Sequence, residues 1–475
     1  MTNTIRIIAR KEAIELWRDG RFRAAAVFVL ALLTASLISG MQRYADTRRQ
    51  HEAAQQETRA QWLAQTPKNP HSAAHYGVYA FKPVLLPSLI DTGLDAYVGV
   101  AAFLEPHRQN AFQFRPAQDA TAAARFGELT AAMTLQLLIP LLIILLAFGA
   151  IAGEREQGTL RQLLSLGIAS RTLVLGKAIG IATVLGVLLV PATIIGSATL
   201  VLAGSDGAFA ADLPRLTTMT LTYGAYFAMM LCGSLAVSAR AASQRTALIV
   251  LLVWWMGNGV IAPRVAADLG KRLYPSPSAF EFARAVQHDI DEGVDGHSPA
   301  DQRSEAFKQR VLAQYRVARV EELPVSFAGL ALQDSEQYTT QVYDMHFARL
   351  WNLFSRQTRV QQLASVAAPF LALRSLSMAL AGTDLAHHRG FATAAETYRQ
   401  KLVGTMNDEM TVHAGKRDYE YVAGADAFQR VPPFSYQAPS LGSVLSQQLA
   451  GVMVLLVWLG VNGTGLFFAI RRVNP

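Results

Sequence analysis

Six apolar runs divide the chain: Phe22 to Gly40, Leu129 to Ala152, Leu173 to Ala203, Leu216 to Ala239, Thr246 to Ala262 and Leu441 to Ile470. Each approaches or exceeds the roughly 20 helical residues that a hydrocarbon core requires, so the pattern predicts membrane-spanning helices. Pro140 and Pro191 fall inside two of the runs, where neighbouring helices can satisfy the freed backbone groups. The fifth run, TALIVLLVWWMGNGVIAP, is short and carries Asn258.

The polar segments between the runs complete the layout. Expected are an interfacial helix over 1–23, spans over 24–40, 129–152, 173–203, 216–239, 246–263 and 441–470, and a charged segment over 153–172. Two large hydrophilic segments, 41–128 and 264–440, remain. The first begins MQRYADTRRQHEAAQQETRAQWLAQ, free of Gly and Pro and rich in helix formers, so the first span should continue outward as a stalk until Pro67, Pro70, Pro83 and Pro87 break it. In the second, stretches such as PADQRSEAFKQRVLAQYRVARVEE repeat apolar residues every three to four positions, which predicts a mainly helical domain. The fold class expected is an all-α integral membrane protein with six transmembrane helices.

Charge orients this layout. With the N-terminus inside, the inner segments carry +9 and the outer segments −1, which together make up the chain's +8. Excess cations on inner loops follow the positive-inside rule, so both termini are expected in the cytoplasm and the two large segments outside. The basicity is therefore topological and gives no reason to expect a nucleic-acid partner. The leader TIRIIARKEAIELWRDGRFR places Ile5, Ile8, Ile14, Leu16 and Trp17 near helical spacing, which suits a helix lying at the inner interface. It carries acids, and no small-residue cleavage site follows the first span, so an uncleaved anchor is expected. The sole cysteine, Cys232, lies inside the fourth run and has no partner for an intrachain disulfide.

One string between the second and third spans carries more information. GEREQGTLRQLLSLGIASRTLVLGK, residues 153–177, resembles the coupling segment of type-2 ABC transporter permeases, matching at Glu154, Glu156, Gly158, Thr159, Leu160, Leu163, Leu164, Ser170, Arg171, Gly176 and Lys177. The leader ending WRDGRF, PSLIDTGLDAYVGVAAFLEPHRQNAF (87–112) and EELPVSFAGLALQDSEQY (321–338) are similar to landmarks of a bacterial branch of these permeases with two large extracytoplasmic insertions. The resemblance implies a dimer, as homodimer or with a paralogous chain, in a bacterial inner membrane. It also implies a separate ABC ATPase subunit that binds ATP and Mg, with no cofactor and no catalytic residue in this chain. No G-x-x-x-x-G-K-[ST] motif in strand-to-helix context contradicts that division of labour.

The residues expected to couple to the ATPase are Glu154, Arg155, Glu156, Gly158, Thr159, Leu160, Leu163, Leu164, Ser170 and Arg171, with the three leucines pressing on the partner and the charged side chains, Arg161 among them, fixing register. Thr134, Gln136 and Asn258 are polar side chains in apolar runs, suited either to line a pathway or to tie helices together. All ten histidines fall in the outer segments. His387 and His388 with Asp384, and His288 with Asp289, Asp291 and Asp295, offer nitrogen and oxygen donors, but adjacent histidines on a helix diverge by about 100°, and no residue is assigned to a metal. The expected function is that of an exporter permease. Alternatives are an ABC-type subunit transmitting force to an extracytoplasmic partner and a membrane-anchored hydrolase, although no G-x-S-x-G or H-E-x-x-H signature supports the latter.

Overall fold

A computed structural model describes residues 2–115, 130–203 and 208–472. Residues 116–128 of the first outer segment, residue 129 of the second predicted span, loop residues 204–207 and the end of the tail at 473–475 lie outside the described residues.

Helix α1 (Thr2–Arg18) ends at Asp19, whose carboxylate accepts from the backbone N–H of Arg21 and caps α2 (Gly20–Leu63). α2 runs unbroken for 44 residues, about 66 Å at 1.5 Å per residue. Phe22, Ala26, Val29, Leu33 and Leu37 recur along the buried face of its apolar half, and its polar half ends on Trp62, which is wholly enclosed. The stalk therefore joins the membrane core to a second core without a hinge in its backbone.

Beyond the stalk come α3 (Pro70–Tyr76) and a small antiparallel sheet of order β1-β2-β3: β1 (Val78–Phe81), β2 (Ala101–Glu105) and β3 (Arg108–Gln109), with Val78 opposite Leu104 and Leu104 opposite Gln109. The sheet departs from the all-α expectation. Strands this short show too few alternating positions to stand out in the sequence, and they form because Val78, Ala80, Ala102 and Leu104 are buried against helices distant in the chain.

Among the described residues, six helices are long and apolar enough to cross a membrane. They are α2, α4 (Ala131–Glu156), α6 (Ser170–Ala203), α7 (Ala208–Arg240), α8 (Gln244–Leu273) and α15 (Leu449–Arg471); the short α5 (Thr159–Ser165) stands between α4 and α6, and α14 (Leu441–Gln447) precedes α15. Their shared core includes Ile139, Ile143, Tyr226, Met230, Leu251 and Leu455. α4 and α8 each contain one π-helical segment, Thr134–Leu138 and Gly257–Ile261.

The second outer segment forms α9 (Ala279–Glu292), α10 (Ala300–Tyr315), α11 (Phe327–Ala364), α12 (Pro369–Ala381) and α13 (Leu385–His413). Ser278 and Glu281 close a capping box at the start of α9. α12 behaves differently from its neighbours: Ala372, Leu373, Leu376 and Leu380 join the core of the membrane-grade helices, against α7 and α15. At 13 residues it is too short to span a hydrocarbon core. The two large hydrophilic segments share a core. Trp62 donates to the carbonyl of Phe428 at 2.9 Å, Arg59 donates to that of Val431 at 2.8 Å, and Phe391, Leu402 and Met406 of α13 pack around Ala74, Val78 and Leu104.

Candidate functional site

The segment between α4 and α6 is a compact helical elbow. Gly158, at φ 77°, adopts the left-handed turn that separates the end of α4 from α5, a conformation that strains any residue with a Cβ. Leu160 is fully buried on α5, packed with Ile151, Leu173, Val174, Ala239 and Ile470, while Leu163 and Leu164 are half-buried against the same cluster. Of the three leucines expected to press on a partner, Leu160 has no surface to offer and anchors α5 to its own bundle, while Leu163 and Leu164 keep part of theirs. The opposite face presents Arg161, Gln162 and Ser165, with Leu166 at the C-cap 78% exposed.

The charged residues before α5 also bond to their own bundle. Arg155 donates through both terminal nitrogens to the carbonyls of Ala241 and Ala239, each at 2.7 Å, and so grips the C-terminal end of α7. Glu156 accepts from the backbone N–H of Gln244 at 3.1 Å, at the start of α8. Ser238 accepts from the N–H groups of Ile151 and Ala152 and donates to the carbonyl of Phe148 at 2.8 Å, which satisfies the backbone where α4 bends.

Glu154 is the junction of this network. One of its oxygens accepts from the Thr159 hydroxyl, and the other lies 2.9 Å from Nζ of Lys177. Lys177 reaches a second carboxylate, Glu12 on α1, at 2.7 Å; the Lys177 and Glu12 side chains are 6% and 8% exposed. Such closeness between α1 and α6 depends on Gly176, where a Cβ would come within 2.6 Å of the Ile8 side chain. Three elements far apart in sequence are therefore pinned by one ammonium. Ser170 begins α6, and Arg171 lies over the Phe467 ring of α15 at 5.1 Å from its centroid.

The polar residues of the spans form two buried relays. Gln136 donates to the Tyr223 hydroxyl at 3.0 Å, which meets the Ser377 hydroxyl of α12 at 2.9 Å, and Ser377 donates to Asp91 of the first outer segment at 2.5 Å. Asn258 donates to the Tyr226 hydroxyl at 3.2 Å and accepts from the N–H of Phe370 at 3.1 Å. Thr134 is fully buried and turns its hydroxyl to the carbonyl of Thr130. Where α12 meets α8, α11 and α13, a cavity of about 880 Å³ is lined by Arg359, Arg374 and Arg389 together with Gln362 and Gln448.

The histidines singled out by sequence do not converge. His387 pairs with Asp384 at 2.6 Å, whereas His388 faces the rings of Phe112 and Trp351, and its burial, with Lys82 and Arg115 adding a smaller effect, lowers its pKa to about 4. Asp289 is held by His346 at 2.9 Å. Sequence reasoning missed Glu12 as the partner of Lys177 and Leu166 as the exposed apolar residue at the C-cap of α5. Neither is marked by local spacing, because both roles depend on which face α5 and α1 turn to the bundle.

No curated protein matches this chain. Residues 279–437 match a domain of unknown function (DUF3526), which fits an insertion ahead of the last apolar helix. Residues 6–314, more than half of the chain and containing the whole elbow, match the ABC-2 family transporter protein. The chain thus belongs to the ABC-2 family transporter proteins and is a membrane permease of an ABC transporter, associated with an ABC ATPase subunit.

Proposed function

We propose that the chain is the transmembrane subunit of an ATP-driven exporter of a bacterial inner membrane, dimeric, with residues 153–172 on the cytoplasmic side as its coupling element. The observation that carries this reading is the Glu12–Lys177–Glu154 junction: a push on the exposed face of α5 reaches α1 and α6 through charges that cannot separate without being left buried and unpaired. ATP and Mg bind the partner subunit, whose closure moves α5 and switches the spans between two packings. Gln136 and Asn258 serve as interhelical ties across that change, while Thr134 keeps its hydroxyl bonded within its own helix. The arginine-lined cavity at the outer end is where cargo leaves, and its charge favours anionic groups. The chain itself is non-catalytic.

A second reading is favoured by α2, one helix shared by the membrane core and the outer core. In it the same motion is delivered to an extracytoplasmic partner rather than to cargo.

Purification from native membranes in mild detergent tests the main reading. An ABC ATPase should copurify with the wild-type chain and be lost from Leu166→Asp combined with Arg161→Glu; a variant that retains the ATPase and full transport overturns the coupling role of α5. In a Cys232→Ala background, Cys at Gln157 should resist an impermeant thiol reagent in intact cells and Cys at His297 should react, and the reverse pattern overturns the orientation.

A further inference from the structure

Three histidines from two short elements meet in the outer domain, away from the elbow. His71 and His75 stand one turn apart on α3, an H-x3-H pair whose spacing places both rings on one helix face. His107 reaches them from the turn between β2 and β3. Nε2 of His71 lies 3.2 Å from Nε2 of His75 and 3.4 Å from Nε2 of His107. Among the described residues no other group of three or more His, Cys, Asp or Glu side chains brings its donor atoms within 4.8 Å of one another.

Hydrogen bonding accounts poorly for this convergence. A neutral imidazole nitrogen carries either one proton or one in-plane lone pair, so Nε2 of His71 can satisfy one neighbour and leaves the other facing it without a bond. A tetrahedral ion with metal–nitrogen distances of about 2.0–2.1 Å sets its ligand nitrogens about 3.3 Å apart. The two measured separations, 3.2 and 3.4 Å, bracket that value.

The surroundings are built to present these nitrogens. Nδ1 of His107 lies 2.6 Å from a carboxylate oxygen of Glu336, so that nitrogen carries the proton and Nε2 offers its lone pair to the other two rings. Glu336 is held in turn by Arg399 at 3.0 Å, and their side chains are 6% and 1% exposed. His107 adopts φ 67°, a left-handed conformation that a non-glycine residue takes at a cost. His75 is exposed, which leaves one side of the cluster open to water.

We propose that His71, His75 and His107 bind one divalent transition-metal ion of the zinc type, with three protein ligands and a fourth position open to water or an exchangeable ligand. Imidazole donors select zinc, copper and nickel over magnesium and calcium. The ion ties α3 to the β2–β3 turn and, through Glu336 and Arg399, to α11 and α13, so it clips the first outer segment onto the second. Glu336 is a positioning residue.

The test uses the full chain, purified in detergent without a histidine tag and stripped with a chelator. Titration calorimetry with Zn²⁺ should give one ion per chain, undisturbed by excess Mg²⁺, and Co²⁺ should show the intense visible bands of a four-coordinate site. His75→Ala, at an exposed ring that leaves the fold intact, should abolish both signals. Glu336→Gln should weaken binding 10–100-fold and shift the Co²⁺ bands while the stoichiometry stays at one. His288→Ala, outside the cluster, should match the wild type. Folded wild-type protein that binds no stoichiometric Zn²⁺, or His75→Ala and His107→Ala variants that bind it as the wild type does, would overturn the proposal.

Discussion

Two buried ionic clusters, one in the elbow and one in the outer domain, use the same chemistry to different ends. In the elbow, Lys177 of α6 bridges Glu12 of α1 and Glu154 at the end of α4, and α5, tied to Glu154 through the Thr159 hydroxyl, keeps an exposed face. In the outer domain, Arg399 bridges Glu336 at 3.0 Å and Glu396 at 2.8 Å, and also donates to the Thr340 hydroxyl at 2.9 Å. The difference lies in the cation and its partners. A guanidinium presents several donors in a rigid plane and locks α11 to α13, whereas an ammonium is a point charge that holds two carboxylates without fixing their angle. The first arrangement suits a platform and the second suits a joint.

Cutting each cluster should show the largest effects. Lys177→Met strands two buried carboxylates and should destabilise the α1–α6 junction by about 3–5 kcal/mol, with loss of ATPase stimulation, read by thermal unfolding in detergent and by ATPase assay of the complex. Adding Glu12→Gln and Glu154→Gln should recover most of the stability but not the stimulation, which separates the joint's mechanical role from its fold. Arg399→Met should cost about the same in the outer domain yet leave ATPase association intact, as measured by copurification. If Arg399→Met abolishes association, the two ends are not separable in this way.

Within the elbow, the two faces of α5 should respond differently. Leu160→Ala opens a cavity in a closed cluster and should cost about 2–5 kcal/mol. Leu166→Asp touches no core and should change stability by less than about 0.5 kcal/mol while weakening ATPase binding.

The outer platform should also be sensitive to acid. His388 has its pKa lowered from 6.5 to about 4 in the folded chain, so between these values the unfolded chain binds the extra proton. Stability is therefore full above about pH 6.5 and falls as pH is lowered toward 4, by about 2 kcal/mol between pH 7 and pH 5. His388→Phe, which keeps the contacts with Phe112 and Trp351, should flatten that slope in thermal unfolding of the outer domain. An unchanged slope would assign the acid sensitivity to other groups.

The elbow was legible as a string, since GEREQGTLRQLLSLGIASRTLVLGK combines a turn glycine, an amphipathic row and a Gly-Lys pair between two apolar runs. Its facing was not. Leu160 and Leu166 are identical as letters, and only the packing of α5 on Ile151, Leu173 and Ile470 turns one inward and the other out. The histidine cluster went unread: the H-x3-H pair at 71–75 is present in the sequence but was passed over, and His107 lies 36 positions from His71 and meets it only through the β2–β3 turn.

The sequence by itself determined the six apolar helices and the unbroken stalk, because burial in hydrocarbon and helix continuity depend on local composition and on where Gly and Pro fall. Tertiary structure alone decided the insertion of α12 among the membrane helices, the short sheet, the pairing of Lys177 with Glu12 and the meeting of three histidines. Each of these is a contact between positions far apart in the chain, and such contacts are chosen by the packing of whole helix faces rather than by the residues flanking either partner.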